Sequence, residues 1–297
     1  MKKILNIAIV AVMVLSMTAA YAQQEPHYSL YKYNLSVINP AAVAVDGTKI
    51  TFNDRSQWVG LPQAPETQTF TFGTPVSDKM GIGFSVINDK VHIINETQLY
   101  VDYSYKLELN EGSNLYLGLK AGGSFLNIDV NALGIINDAL LSNNVSTFNP
   151  NVGIGAYYKA DKYFLSLSIP RLLSNDRYEM DNNTISLSGT DKMHMYFGGG
   201  YTYAVGKNID LTPSFMTRFT SGTPMSLDLT ATAKLYKKFE LGINYRLNES
   251  IGFVSMMRAA DWMKIGYAYE STTSDIQNYS RGTHEVMMVF NLSKKDK

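Results

Sequence analysis

The chain contains no cysteine, which excludes disulfides, thiolate metal sites and a cysteine-linked lipid anchor. Charge of a dominant sign is also missing. Its 26 basic and 26 acidic residues cancel, so there is no electrostatic footprint for nucleic acid. Charged residues make up 18% of the chain, below the ~25% usual in soluble proteins. After the amino-terminal stretch no long apolar run occurs, and mean hydropathy is −0.11, so helical membrane spans do not account for the shortage of charge.

Signatures of catalysis are missing too. His27, His92, His194 and His284 are scattered and belong to no two-histidine metal motif. No Gly-x-Ser-x-Gly elbow occurs. Residues 200–208, GYTYAVGKN, resemble a phosphate loop superficially: five residues separate the glycines and Asn208 stands where Ser or Thr is required. The sequence therefore leads us to expect no enzyme, no cofactor and no metal.

Among the features present, the first is MKKILNIAIVAVMVLSMTAAYA. Lys2 and Lys3 precede an apolar run interrupted by Asn6, and Ala20-Tyr21-Ala22 forms a small-x-small cleavage site, the pattern of an export signal over residues 1–22. The second is tyrosine, present 20 times. Low charge and abundant aromatics suit a protein with a second apolar surface. A transmembrane β-barrel has one, because each strand alternates a lipid face with a polar interior face.

Alternation along the chain supports this. In residues 98–109, QLYVDYSYKLEL, the residues Leu99, Val101, Tyr103, Tyr105, Leu107 and Leu109 oppose Gln98, Tyr100, Asp102, Ser104, Lys106 and Glu108. Residues 227–235 and 239–248 repeat the pattern. Such strands exceed the ~5–6 residues common in soluble sandwiches. The whole chain yields fourteen expected strands, near 48–57, 67–75, 81–88, 97–109, 113–129, 149–159, 162–171, 193–204, 208–219, 225–236, 238–247, 250–258, 262–271 and 282–293.

Even-numbered strands mostly end in tight turns and odd-numbered ones in longer segments, as expected for short periplasmic turns and longer external loops. The expected fold is therefore all-β: an antiparallel outer-membrane barrel of about fourteen strands over 48–297. A periplasmic segment, 23–47, would precede it, and both termini would lie in the periplasm. Tyrosine-rich strand ends such as Tyr157-Tyr158 and Tyr201-Thr202-Tyr203 suit aromatic girdles against outer-membrane lipid.

On the expected interior face lie Asp102, Lys106, Glu108, Lys120, Asp228, Lys234, Glu240 and Arg246, with Asp210, Arg218, Lys264 and Glu270. Mixed charges of this kind line a conduction path or pair across a packed lumen.

Three blocks carry a family likeness: YKYNLSVINPA from Tyr31, RSQWVGLPQAPET from Arg55, and MGIGFSVINDK from Met80. In order and spacing they resemble the PorP/SprF family of outer-membrane proteins of the type IX secretion and gliding machinery in Bacteroidetes. Gln63 stands where that family commonly has glycine, His92 follows its Asp-Lys turn where glycine is often near, and SKKDK follows the last strand. The resemblance implies a non-enzymatic barrel that works with periplasmic type IX secretion components and a secreted surface adhesin. On its motifs, Asn39, Pro40, Arg55, Gln57, Trp58, Gly60, Pro65 and Thr67 become candidate partner-binding residues. The charged interior keeps a general porin or solute channel as the alternative.

Overall fold

The computed structural model describes residues 26–133, 144–173 and 192–292. The expected signal peptide, the middles of the two longest expected loops and the SKKDK tail lie outside these residues.

Fourteen antiparallel strands form one closed sheet. They are β1 (Lys49–Ser56), β2 (Glu66–Pro75), β3 (Met80–Val91), β4 (Ile94–Asn110), β5 (Ser113–Ile128), β6 (Val145–Ala160) and β7 (Tyr163–Ile169). Then come β8 (His194–Tyr201, continued after Thr202 by Tyr203–Ala204), β9 (Ile209–Thr220), β10 (Ser226–Leu235), β11 (Phe239–Arg246), β12 (Ser250–Ala260), β13 (Met263–Thr272) and β14 (Thr283–Asn291). Each strand pairs with the next, and β1 pairs with β14, Lys49 opposite Asn291 and Ser56 opposite His284. Closure removes both sheet edges, which a lipid environment demands because no water is present to satisfy exposed backbone groups.

Every expected strand is present, with ends displaced by at most four residues. In β4, Gln98, Tyr100, Asp102 and Ser104 are buried, while Leu99, Val101, Tyr103 and Tyr105 point outward. In β11, Glu240, Asn244 and Arg246 face inward, while Phe239, Leu241, Ile243 and Tyr245 face outward. The break in β8 has a local cause. Gly200 pairs with Ser214 and Tyr203 with Leu211, so the interruption lies against Thr212 and Pro213, and proline has no N–H for the ladder. Thr202 turns its own N–H to the Lys162 carbonyl, 2.6 Å away.

Every connection at one end of the barrel is short, whereas at the other end the turns at 92–93 and 247–249 stand among longer loops. Around Glu111-Gly112, Gly112 has φ +82, and between β10 and β11 Tyr236 and Lys237 have φ +51 and +53, the paired left-handed geometry of a two-strand turn. The loops 57–65 and 273–282, and the described ends of the connections after β5 and β7, lie at the other end.

The segment before β1 lies inside the barrel. Expected to stand in the periplasm, residues 29–43 instead run through the lumen: Leu30, Asn39 and Ala41 are fully buried, as are Tyr31, Leu35, Val37, Ile38 and Val43 within a few per cent. Three short 3-10 turns, Tyr31–Tyr33, Leu35–Val37 and Pro40–Ala42, compact it. Its direction is fixed by its contacts. Pro26 packs with Tyr28, Arg171 and Tyr196 toward the long-loop end, whereas Thr48 enters β1 at the short-turn end. The amino-terminal side thus points to the long-loop end, opposite to the expected placement. Beyond about eight strands a barrel is too wide for its wall side chains alone to fill; here the chain itself occupies the centre.

Candidate functional site

The functional surface divides into a plug, the charged wall that holds it, and a rim. The plug is seated by the Asn-Pro-Ala motif. Asn39 is extended (φ −135, ψ 106) and its Oδ1 accepts from the Ala41 N–H at 2.9 Å, capping the 3-10 turn that Pro40 begins; proline fits there because its missing N–H would be unpaired anyway. The Asn39 Nδ2 donates outward to the wall, to Ser166 Oγ at 2.8 Å and to the Ala156 carbonyl at 3.0 Å. Ser168 Oγ donates to the Ile38 carbonyl at 2.7 Å and Ser104 Oγ to that of Val43 at 3.0 Å.

Glycine makes this seating possible. A Cβ on Gly155 would overlap Asn39 Oδ1, and one on Gly118 would overlap the Pro40–Ala41 peptide. Backbone lies where a side chain would otherwise stand. The wall is built around the plug as well as beside it.

A buried charge network latches the other end. Arg55 Nη1 lies 3.0 Å from Glu285 Oε2, and its Nη2 lies 2.8 Å from Glu270 Oε2. Arg246 Nε bonds Asp228 Oδ1 at 2.6 Å and its Nη1 reaches Glu270 at 3.4 Å. The Glu285 carboxylate accepts from the backbone N–H groups of Ser29 and Leu30, at 2.7 and 3.2 Å, and the Ser29 hydroxyl contacts Glu270 and receives Arg55 Nη1. The plug thus completes the solvation of buried carboxylates, which would be costly if left short of partners. Further along, Lys32 of the plug bonds Glu240 at 2.6 Å and Thr232 at 3.0 Å.

The expected interior residues fall into two groups. Asp102 and Lys120 face each other at 2.8 Å and are buried, as are Asp228, Glu240 and Arg246. Lys106 and Glu108 pair with each other at 2.9 Å, but Glu108 is 61% exposed, because a bulge between Glu108 and Asn110 ends the regular face of β4. These two belong to the short-turn rim, and Lys234, half exposed and 3.9 Å from Glu240, belongs with them. Opposite charges pair instead of lining an open path. Near Tyr28 and Ile38 the plug leaves voids of ≈ 20 Å³.

The candidate partner-binding residues also separate. Asn39, Pro40, Arg55 and Thr67 are buried in the lumen, so they present nothing to a partner in this state; alternation carried through β1 and β2 already sets Thr51, Asn53 and Arg55, and Thr67, Thr69 and Thr71, on the inner face. Gln57, Trp58, Gly60 and Pro65 form the long-loop rim. There Val59 and Arg281 exchange backbone bonds with Gly282 and Val59 at 2.8 and 2.7 Å, and the Trp58 N–H reaches Thr283 Oγ1 at 3.3 Å. This zips loop 57–65 to the loop before β14 and extends the barrel seam above the sheet. Sequence reasoning missed Ser29, Glu285 and the glycine floor, whose partners across the plug lie far away in sequence, 256 residues for Ser29 and Glu285.

Residues 20–290 match the family described as Type IX secretion system membrane protein PorP/SprF. The chain belongs to the PorP/SprF family. No curated protein matches this PorP/SprF chain. Among solved structures it is similar to the CymD monoaromatic hydrocarbon channel, at 9% identity and TM-score 0.52, covering 87% of this chain and 92% of that one. It is also similar to the Acinetobacter baumannii outer membrane protein Omp33, at 8% identity and TM-score 0.49, covering 82% and 97%. At such identities the likeness concerns the fold alone; bacterial outer-membrane barrels as a class have short periplasmic turns and longer external loops. By that rule the rim with Trp58 would be external, and Lys106, Glu108 and Lys234 would lie at the periplasmic mouth.

Proposed function

We propose that this barrel is a non-enzymatic outer-membrane component of type IX secretion and gliding, which supports export or surface attachment of a large adhesin and works with periplasmic components of that system. One observation carries the reading beyond family membership: the lumen is filled by residues 29–43, held by Arg55, Glu270, Glu285 and the Asn39 seat. A solute porin needs a continuous aqueous path, and this one is occupied by the chain itself. A filled barrel with a zipped external rim instead offers a fixed scaffold, to which a partner docks at little cost in ordering.

Gene deletion tests the role. In a strain without paralogues, loss of surface adhesin and of motility is expected, restored by the wild-type gene; intact display would refute the reading. The porin alternative is tested separately by reconstitution in a planar bilayer, where steady conductance from the unmodified barrel would favour it.

A further inference from the structure

The periplasmic mouth opens into a cavity of ≈ 580 Å³ lined by Lys32, Tyr33, Lys49, Arg258, Trp262 and Lys264, with Asp46, Asp261 and Asn291. Its volume falls in the range of ~300–1,000 Å³ typical of ligand sites. Its charges are arranged unlike those of the rest of the lumen. Elsewhere buried cations meet carboxylates: Lys120 meets Asp102, Arg55 meets Glu270 and Glu285, Arg246 meets Asp228, and Arg171 meets Glu96. At the mouth, Arg258 and Lys264 are direct cross-strand partners on β12 and β13, both inward-facing. Like charges directly opposite each other destabilise a sheet. Among the described residues neither meets a carboxylate within ion-pair distance, and Lys49 on β1 donates only to the Tyr33 carbonyl, at 3.2 Å.

The nearest acid to Lys49 and Lys264 is Asp46, itself paired with Lys159 at 2.6 Å, and the cations without an ion pair are spread out. Arg258 lies on β12, Lys264 on β13 and Lys49 on β1, and β14 intervenes between the last two. Neighbouring strands lie ~4.8 Å apart, so three intervals span roughly 14 Å, the length of about four extended residues at ~3.3 Å each. A lone phosphate would be reached by one or two of these groups at most.

We propose that this vestibule binds an extended acidic peptide segment presented from the periplasm, its carboxylates meeting Lys49, Arg258 and Lys264 and its backbone lying against Tyr33 and Trp262. The inference takes its periplasmic side from the barrel orientation given above and stands whether or not the adhesin role holds.

Fluorescence tests it directly. The chain has two tryptophans, so Trp58→Phe leaves Trp262 as the sole reporter in the purified full-length barrel. Titration with hexaglutamate should give a saturable change, hexaglutamine none, and inorganic phosphate no more than weak, non-competing perturbation. The double variant Arg258→Gln/Lys264→Gln should weaken hexaglutamate at least tenfold. Because it relieves a like-charge pair, it should melt no lower than the parent, which separates lost binding from lost folding. Lys264→Glu, which places a carboxylate opposite Arg258, should abolish binding with the fold intact. No saturable change, equal binding of hexaglutamine, unchanged affinity in the double variant, or competition by phosphate at equal strength would each overturn the proposal.

Discussion

Arg55 sits directly opposite Glu285 across the seam that closes the barrel, its guanidinium 3.0 Å from that carboxylate and 2.8 Å from that of Glu270. The same seam strand pair thus closes the sheet and clamps the plug, since Glu285 also accepts two backbone N–H groups from Ser29 and Leu30. Arg55→Ala would leave two carboxylates buried with their cation gone. Breaking a buried pair from one side costs about 3–5 kcal/mol, and plug release is the cheapest way to let water reach the stranded charges. The expected outcome in a planar bilayer is a silent parent and a conducting Arg55→Ala variant. Removing the charges together, as Arg55→Met with Glu270→Gln and Glu285→Gln, should recover much of the lost stability.

The direction of the plug is testable because the chain has no cysteine, so each introduced thiol is labelled without background. Gln277→Cys, on the exposed loop before β14, should react with a membrane-impermeant maleimide on intact cells. Lys237→Cys, in the turn between β10 and β11, should react only after the outer membrane is permeabilised. Val43→Cys, at a site 3% exposed in the lumen, should resist labelling in both preparations and react after unfolding. Labelling of Val43→Cys in the folded barrel would mean that the segment stands outside.

Gly155 separates plug seating from barrel formation. A Cβ there meets Asn39 Oδ1, so Gly155→Val forces the Asn-Pro-Ala turn off the wall. Overpacking of this kind typically costs about 1–3 kcal/mol. The strand itself gains a residue of high β propensity, so the sheet should still close. Limited proteolysis is expected to cut the variant within 26–47 faster than the parent, while heat-dependent gel mobility still reports a folded barrel. Gly206→Ala, in a turn with nothing within 4 Å of the added Cβ, is the control and should leave both readouts unchanged.

The strands were legible and the plug was not, and both follow from where the determining contacts lie. Lipid on one side and lumen on the other impose period two on each strand by itself, so Val101 and Asp102 reveal their faces without reference to any other strand. The plug has no such local signature. Asn39 is held by Ser166, and Ser29 by Glu285, across 127 and 256 residues, and the glycines that receive it read as ordinary strand glycines. Burial of Arg55 was within reach, since its alternation with Asn53 and Thr51 places it inside; proximity to Trp58 in the motif pointed the other way. The motif thus joins two tasks, with Arg55 and Thr67 inside the lumen and Trp58 and Gly60 at the rim.

Two of the three departures from the family pattern meet in space. Gln63 and His92 both adopt left-handed backbone, φ +58 and +56, and the His92 N–H donates to the Gln63 carbonyl at 3.2 Å. Glycine is favoured at such positions because it has no Cβ to crowd the adjacent carbonyl. Gln63 is exposed and uses its backbone in this contact, so Gln63→Gly loses little packing and relieves the strain. Each replacement should stabilise the barrel by about 0.5–1 kcal/mol, less where glycine's greater freedom in the unfolded chain offsets the gain. The two sites share a hydrogen bond, so their effects should not add fully. Unfolding midpoints in guanidinium, measured for both single variants and the double, check this; a fall in midpoint for Gln63→Gly would show that its side chain contributes more than its strained backbone costs.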